Sequence, residues 1–173
     1  MTATLVNAAI QALETADPEA KARRVQDFAA AWRNDSITLV GSGSPPMRPA
    51  RPDRPELRLP RHMPKRRRAG SETGRIALLH ALAHIELNAV DLACDIIARF
   101  TGNDLPREFF DDWVMVAADE ARHFGLLTDR LDFFGAAYGD LPAHDGLWEA
   151  AIRTAHDLPA RLAIVPLVLE ARG

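Results

Sequence analysis

Three acids and a histidine stand at spacings that would turn them toward apolar neighbours on helices. In the stretch 106–135, PREFFDDWVMVAADEARHFGLLTDRLDFFG, Glu120 and His123 form a Glu-x-x-His pair. At about 100° per residue the two lie about 60° apart, close enough for a carboxylate and an imidazole to grip one ion. The same reckoning gathers Phe109, Trp113, Val116, Phe124, Leu127, Leu131 and Phe134 into an apolar stripe with Glu120 in its middle. An ionised carboxylate facing a core is costly unless a cation or hydrogen bonds compensate. In the stretch 74–100, Glu86 repeats the anomaly among Leu79, Val90, Ala93 and Ile97, with Leu82 and Ala83 at its flanks. Glu170 is a third case, sharing a face with Ala163 and Leu167. Carboxylates with imidazole suit iron or manganese and disfavour copper(I), which prefers sulfur. A helix-surface ion pair is the competing account of Glu120 and His123, since Asp119, Arg122 and Asp129 surround them.

His80 and His84 have the i,i+4 spacing of a metal pair, but helical geometry turns them about 120–160° from Glu86. They share a face with Asn88, Asp91 and Asp95, which predicts surface or second-interface residues rather than ligands. Cys94 reads as a small core residue. As the single cysteine it excludes an intramolecular disulfide, and no cysteine-based zinc site is present.

The elements that must position these groups are helices. Ala, Leu and Arg abound and β-branched runs are scarce, which predicts an all-α fold. A helix over 2–15 should bury Leu5, Ala9, Ala12 and Leu13. After Asp17-Pro18, an N-cap followed by a proline at the first helical position, a second should run to about Asn34 on Val25, Phe28, Ala29 and Trp32. This N-terminal helical pair occupies 1–40. After Gly135 a turn-rich loop carries His144, a short helix over 146–157 bears Trp148, and a last helix begins at Pro159. That last helix is apolar nearly all round, so it should be buried, with Pro166 kinking it. No apolar run is expected to approach the ~18 residues that span a bilayer, and the first residues lack the pattern of a signal peptide. The expectation is a cytoplasmic protein without membrane contact.

Residues 41–70 differ in character. Seven prolines in this stretch exclude helix and central strand, leaving an extended Pro/Arg-rich arm. Between Arg48 and Arg68, nine Lys/Arg face two acids in a chain whose formal net charge is −3. Such a run can meet phosphates, but no aromatic residue interleaves with it as a stacking platform. Nucleic acid is therefore not the expected partner, and the arm should lie against its own acidic bundle.

The order of motifs resembles a family. HIELNAVDLA from His84, DEARHF from Asp119, YGDLPAH from Tyr138 and RLAIVPLVLEARG from Arg161 resemble an uncharacterised bacterial branch of the ferritin-like di-iron carboxylate superfamily. The resemblance implies a ferritin-like helical bundle over 71–173, with Glu86, Glu120, His123 and Glu170 as metal ligands. It implies iron as the cofactor, a di-iron pair in the complete protein, with manganese as the alternative. It further implies an oxygen-dependent oxidoreductase acting on an unknown small substrate, or an iron store or carrier without turnover. A helical interaction protein with a basic arm is the remaining alternative. The family pattern also has a fourth bundle helix with a second Glu/Asp-x-x-His. No other Glu-x-x-His occurs here, so the bundle is expected to lack that helix and the chain to be a fragment. Exposed apolar surface on the open flank would then favour homo-oligomers.

Overall fold

The computed structural model describes residues 3–63 and 70–170, with side chains given for Leu158–Ile164 of the last helix but not for 165–170. Six α-helices and one short 3-10 turn make up the regular structure of the described residues. They are α1 (Leu5–Leu13), α2 (Pro18–Arg33), α3 (Glu72–Arg99), α4 (Arg107–Phe133), α5 (Gly146–Arg153) and α6 (Leu158–Glu170), with the turn at Pro60–His62. The all-α expectation holds, with ends within three residues of those predicted for α1 to α4.

Local chemistry accounts for the helix starts. Thr4, Asp17 and Ser71 each accept a backbone N–H of the first turn, from Asn7, Ala20 and Gly74. Pro18 fills the first helical position of α2, where its missing N–H has no intrahelical role. The long helices α3 and α4 run antiparallel. Ala83 and Leu87 early in α3 meet Phe124 and Leu131 late in α4, while Ile96 and Phe100 cluster with Phe109 and Trp113 at the other end. Val25, Phe28, Ala29 and Trp32 of α2 join α1, α3 and α4 in one continuous core.

The buried face of α4 differs from the predicted stripe. Phe110, Val114, Ala117, Ala121, Phe124 and Leu131 are buried, while Phe109, Trp113, Val116, Leu127 and Phe134 are only partly so. The helix is rotated by about 60° from the expectation. Glu120 therefore lies on the flank of the buried stripe rather than at its centre. The cause is that α4 approaches its neighbours through small residues, Ala117 and Ala121, which let helices pack closely and leave Phe109, Trp113 and Phe134 at the margin.

The other side of α3 corrects the reading of its histidines. His80 and His84 are only 2% and 5% exposed, and Asn88, Asp91 and Asp95 are fully buried. The face is polar but roofed over. Arg51 of the arm reaches Asn88 Oδ1 at 2.7 Å and Asp91 at 2.8 Å, and Lys21 of α2 reaches Asp91 at 2.6 Å. Asp95 is held by Arg99 at 2.6 Å and by the buried Arg161 of α6. Arg161 also donates to Thr154 Oγ1 and the Ala151 carbonyl. α6 is thus not uniformly apolar in its setting, since Arg161 is buried while Ala163 and Ile164 are exposed.

The arm is the strap that makes this burial work. Its backbone meets the bundle where Ala50 N–H donates to the Leu13 carbonyl, and where Arg99 and Trp148 donate to the carbonyls of Pro46 and Met47. Farther on, Arg58 N–H donates to Ala143 O, and Ala143 N–H donates to Glu56 O. Several of the arm's arginines find acids: Arg48 pairs with Asp145 and Glu149, Arg51 with Asp91, and Arg58 with Glu56. The basic residues Lys65–Arg68 lie outside the described residues.

α3 also departs from the hydropathy expectation. By length and composition it is apolar enough to cross a membrane, with a window of mean hydropathy 1.4, half of which is buried inside the bundle. Its packing against α1, α2 and α4 accounts for that apolar character.

Candidate metal centre

Glu86 on α3 and Glu120 and His123 on α4 converge across the interface of the two long helices. One donor atom from each lies within 4.8 Å of the others. His123 Nδ1 is 3.2 Å from Glu120 Oε2 and 3.8 Å from Glu86 Oε2. Two donors bonded to one ion at about 2.1 Å can be at most roughly 4.2 Å apart, so both histidine distances already suit a shared ion. All three groups are half-buried, with Glu86 and Glu120 22% and 20% exposed and His123 42% exposed.

The hydrogen bonding around His123 shows which nitrogen would bind. Nε2 faces Arg122 Nη2 at 3.4 Å, and an arginine can only donate. With Nε2 as acceptor, the proton of the neutral ring sits on Nδ1 and points at Glu120. A cation in the triad would replace that proton, so binding should release it.

Of the four residues expected as ligands, the fold brings together Glu86, Glu120 and His123. Glu170 closes α6, and its side chain lies outside the described residues. His80 and His84 are not part of the triad and hold the loop that follows α4. His84 Nε2 is 3.1 Å from the His144 carbonyl, and its Nδ1 is 2.8 Å from the Tyr138 hydroxyl. A carbonyl only accepts, so Nε2 carries the proton and Nδ1 accepts from Tyr138. Burial, helped by the nearby Arg51 guanidinium, pushes His84 down to about 4. His80→Ala and His84→Ala should therefore leave metal bound per folded chain unchanged within about twofold. Elemental analysis of the folded fraction of each variant checks this.

Sequence reasoning does not reach the polar network of Lys21, Arg51, Asn88 and Asp91 as a unit. A signal for it is present: Asn88, Asp91 and Asp95 repeat at i,i+3 and i,i+4 spacing on a helix otherwise apolar. Such a stripe needs partners when anything covers it, and the arm supplies them.

Residues 14–173 match the family described as "Protein of unknown function (DUF455)". The chain belongs to the DUF455 family. An uncharacterized protein of Haemophilus influenzae is 42% identical to it, over 94% of this chain and 59% of the relative's own length. This DUF455 chain thus spans about three-fifths of that relative. No solved structure matches it.

Proposed function

We propose that this DUF455 chain is a metal-binding helical protein whose ion sits on Glu86, Glu120 and His123. The observation that carries the reading is the convergence of two carboxylates and one imidazole nitrogen, from two helices, within 4.8 Å. The donor set is hard oxygen with one nitrogen, which suits iron or manganese. Iron would supply redox chemistry with dioxygen, and the resemblance to ferritin-like di-iron proteins supports an oxygen-dependent oxidoreductase acting on a small substrate in the longer protein. The chain's own residues hold the ion, with the Arg122 contact keeping His123 Nδ1 turned inward.

The test is metal content. Glu120→Ala and His123→Ala should each lower bound iron or manganese at least about tenfold, the loss expected when a ligand is removed. Helicity should persist, because both side chains lie on the flank of the buried stripe. Unchanged loading in both variants would reject the reading.

The complete site is proposed to be larger. Three side chains leave coordination positions open, and α3 shows exposed Leu78, Leu82 and Ile85 on one face, spaced i, i+4 and i+7. The ferritin-like resemblance supports a further helix with a second Glu/Asp-x-x-His, together with Glu170, and the greater length of the Haemophilus influenzae relative leaves room for one. The 173-residue chain should then bind at most about one ion, and the longer protein two. Metal-to-protein ratios of the two forms decide it, and two tightly bound ions in the short chain would contradict it. The pairing of Arg48, Arg51 and Arg58 with acids of the same chain supports an internal strap over a nucleic-acid contact.

A further inference from the structure

We propose that His80 is an acid-sensitive latch holding the loop 136–145, and through it the arm, against α3. The backbone N–H groups of Gly139 and Leu141 both aim at His80 Nε2, at 2.9 and 3.4 Å. Nε2 is therefore an unprotonated acceptor, and the ring's proton is on Nδ1. Protonation of Nε2 would set an N–H against two donors that have no alternative role, because a backbone amide never accepts. His84, one turn along, lacks this incompatibility. Its Nδ1 faces the Tyr138 hydroxyl, which can reverse from donor to acceptor. The latch is His80.

Its surroundings set the balance. Burial holds His80 below the ordinary imidazole range, while the Asp140 carboxylate in the loop opposes that effect. Tyr138 stacks on the ring at 5.3 Å and is neutral. His84 faces it from α3, and α4 presents the apolar Phe124 and Leu131 to this region. Lys21 of α2 and Arg51 of the arm are engaged by Asp91, Arg51 also by Asn88.

The loop is a mechanical link as well as a cover. Asp140 Oδ2 accepts from Ala137 N–H, shaping the turn, and Gly139 takes a φ of +108° at a place where any added side chain would meet Arg54 of the arm. A few residues on, Ala143 exchanges backbone bonds with Glu56 and Arg58. Loss of the His80 bonds would free the turn and, with it, the Ala143 pairing that fastens the arm.

Amide hydrogen exchange on the wild-type chain tests this. The protection factor of Gly139, read while it stays below that of Val114 in the α4 core so that local opening carries the exchange, should fall as pH drops below about 6.5, approaching tenfold per pH unit. A protection factor already removes the intrinsic pH dependence of exchange. In His80→Gln the amide oxygen accepts at every pH, so the factor should lose most of its slope. A flat wild-type factor between pH 6.5 and 4.5 overturns the latch, and so does an undiminished slope in His80→Gln. If that variant fails to fold, the wild-type factor alone decides.

Discussion

Replacing Asp91 with alanine should lower the unfolding free energy by roughly 3–5 kcal/mol. Asp91 is fully buried and is the common partner of two cations, Lys21 at 2.6 Å and Arg51 at 2.8 Å. Lys21 is itself only 1% exposed, and its other hydrogen bond goes to the neutral Ala50 carbonyl. Removing the carboxylate leaves an ammonium buried against a carbonyl, whose desolvation nothing then offsets. Arg51 is better placed to escape, being partly exposed, but its departure would unfasten the arm from α3. The double variant Lys21→Met with Asp91→Leu removes both charges and should recover much of the loss, because a buried ion pair adds little over a well-packed apolar pair. Urea midpoints for the three proteins measure this. A loss below about 1 kcal/mol in Asp91→Ala would show that the network is not what fastens the strap.

Acid should weaken the fold well before the carboxylates are all protonated. His84 takes up a second ring proton only below about 4 in the folded chain, against 6.5 ordinarily. The unfolded chain therefore takes up a proton that the folded chain refuses between those values. The contribution to stability is full above pH 6.5, declines as pH falls toward 4, and has no further pH dependence below. Its full size is about 3 kcal/mol, from roughly 1.4 kcal/mol for each tenfold loss of proton affinity on folding. His80 is held down in the same direction for the same reason, burial. Urea denaturation at pH 7 and pH 4.5 should show the decline, and His84→Gln should show a smaller one. Equal stabilities at the two pH values in the wild type would mean that these imidazoles are not held neutral.

Much of this is legible in the residues. The cap at Asp17 and the long apolar periodicity of α3 mark their helices because those signals are local. Glu86, Glu120 and His123 stand out because polar groups at core spacing need a reason, and the fold brings them together. What the chain order hides is what covers a given face. The side of α3 with His80, His84, Asn88 and Asp91 has the composition of a solvated face, and it becomes interior through groups distant in sequence: Arg51 of the arm, Lys21 of α2 and the loop after α4. The phase of α4 is hidden for a different reason. Weighting by hydrophobicity favours Phe109, Trp113 and Phe134, whereas close packing favours Ala117 and Ala121, which carry little hydrophobic signal.

The central claim is that one ion lies between α3 and α4. Crystals grown with manganese or anaerobic iron(II), and measured at the metal's absorption edge, test it most directly. An anomalous peak within bonding distance of Glu86, Glu120 and His123 Nδ1 is the predicted result. Full occupancy at any other position, with the triad still joined by its His123–Glu120 hydrogen bond, would contradict it.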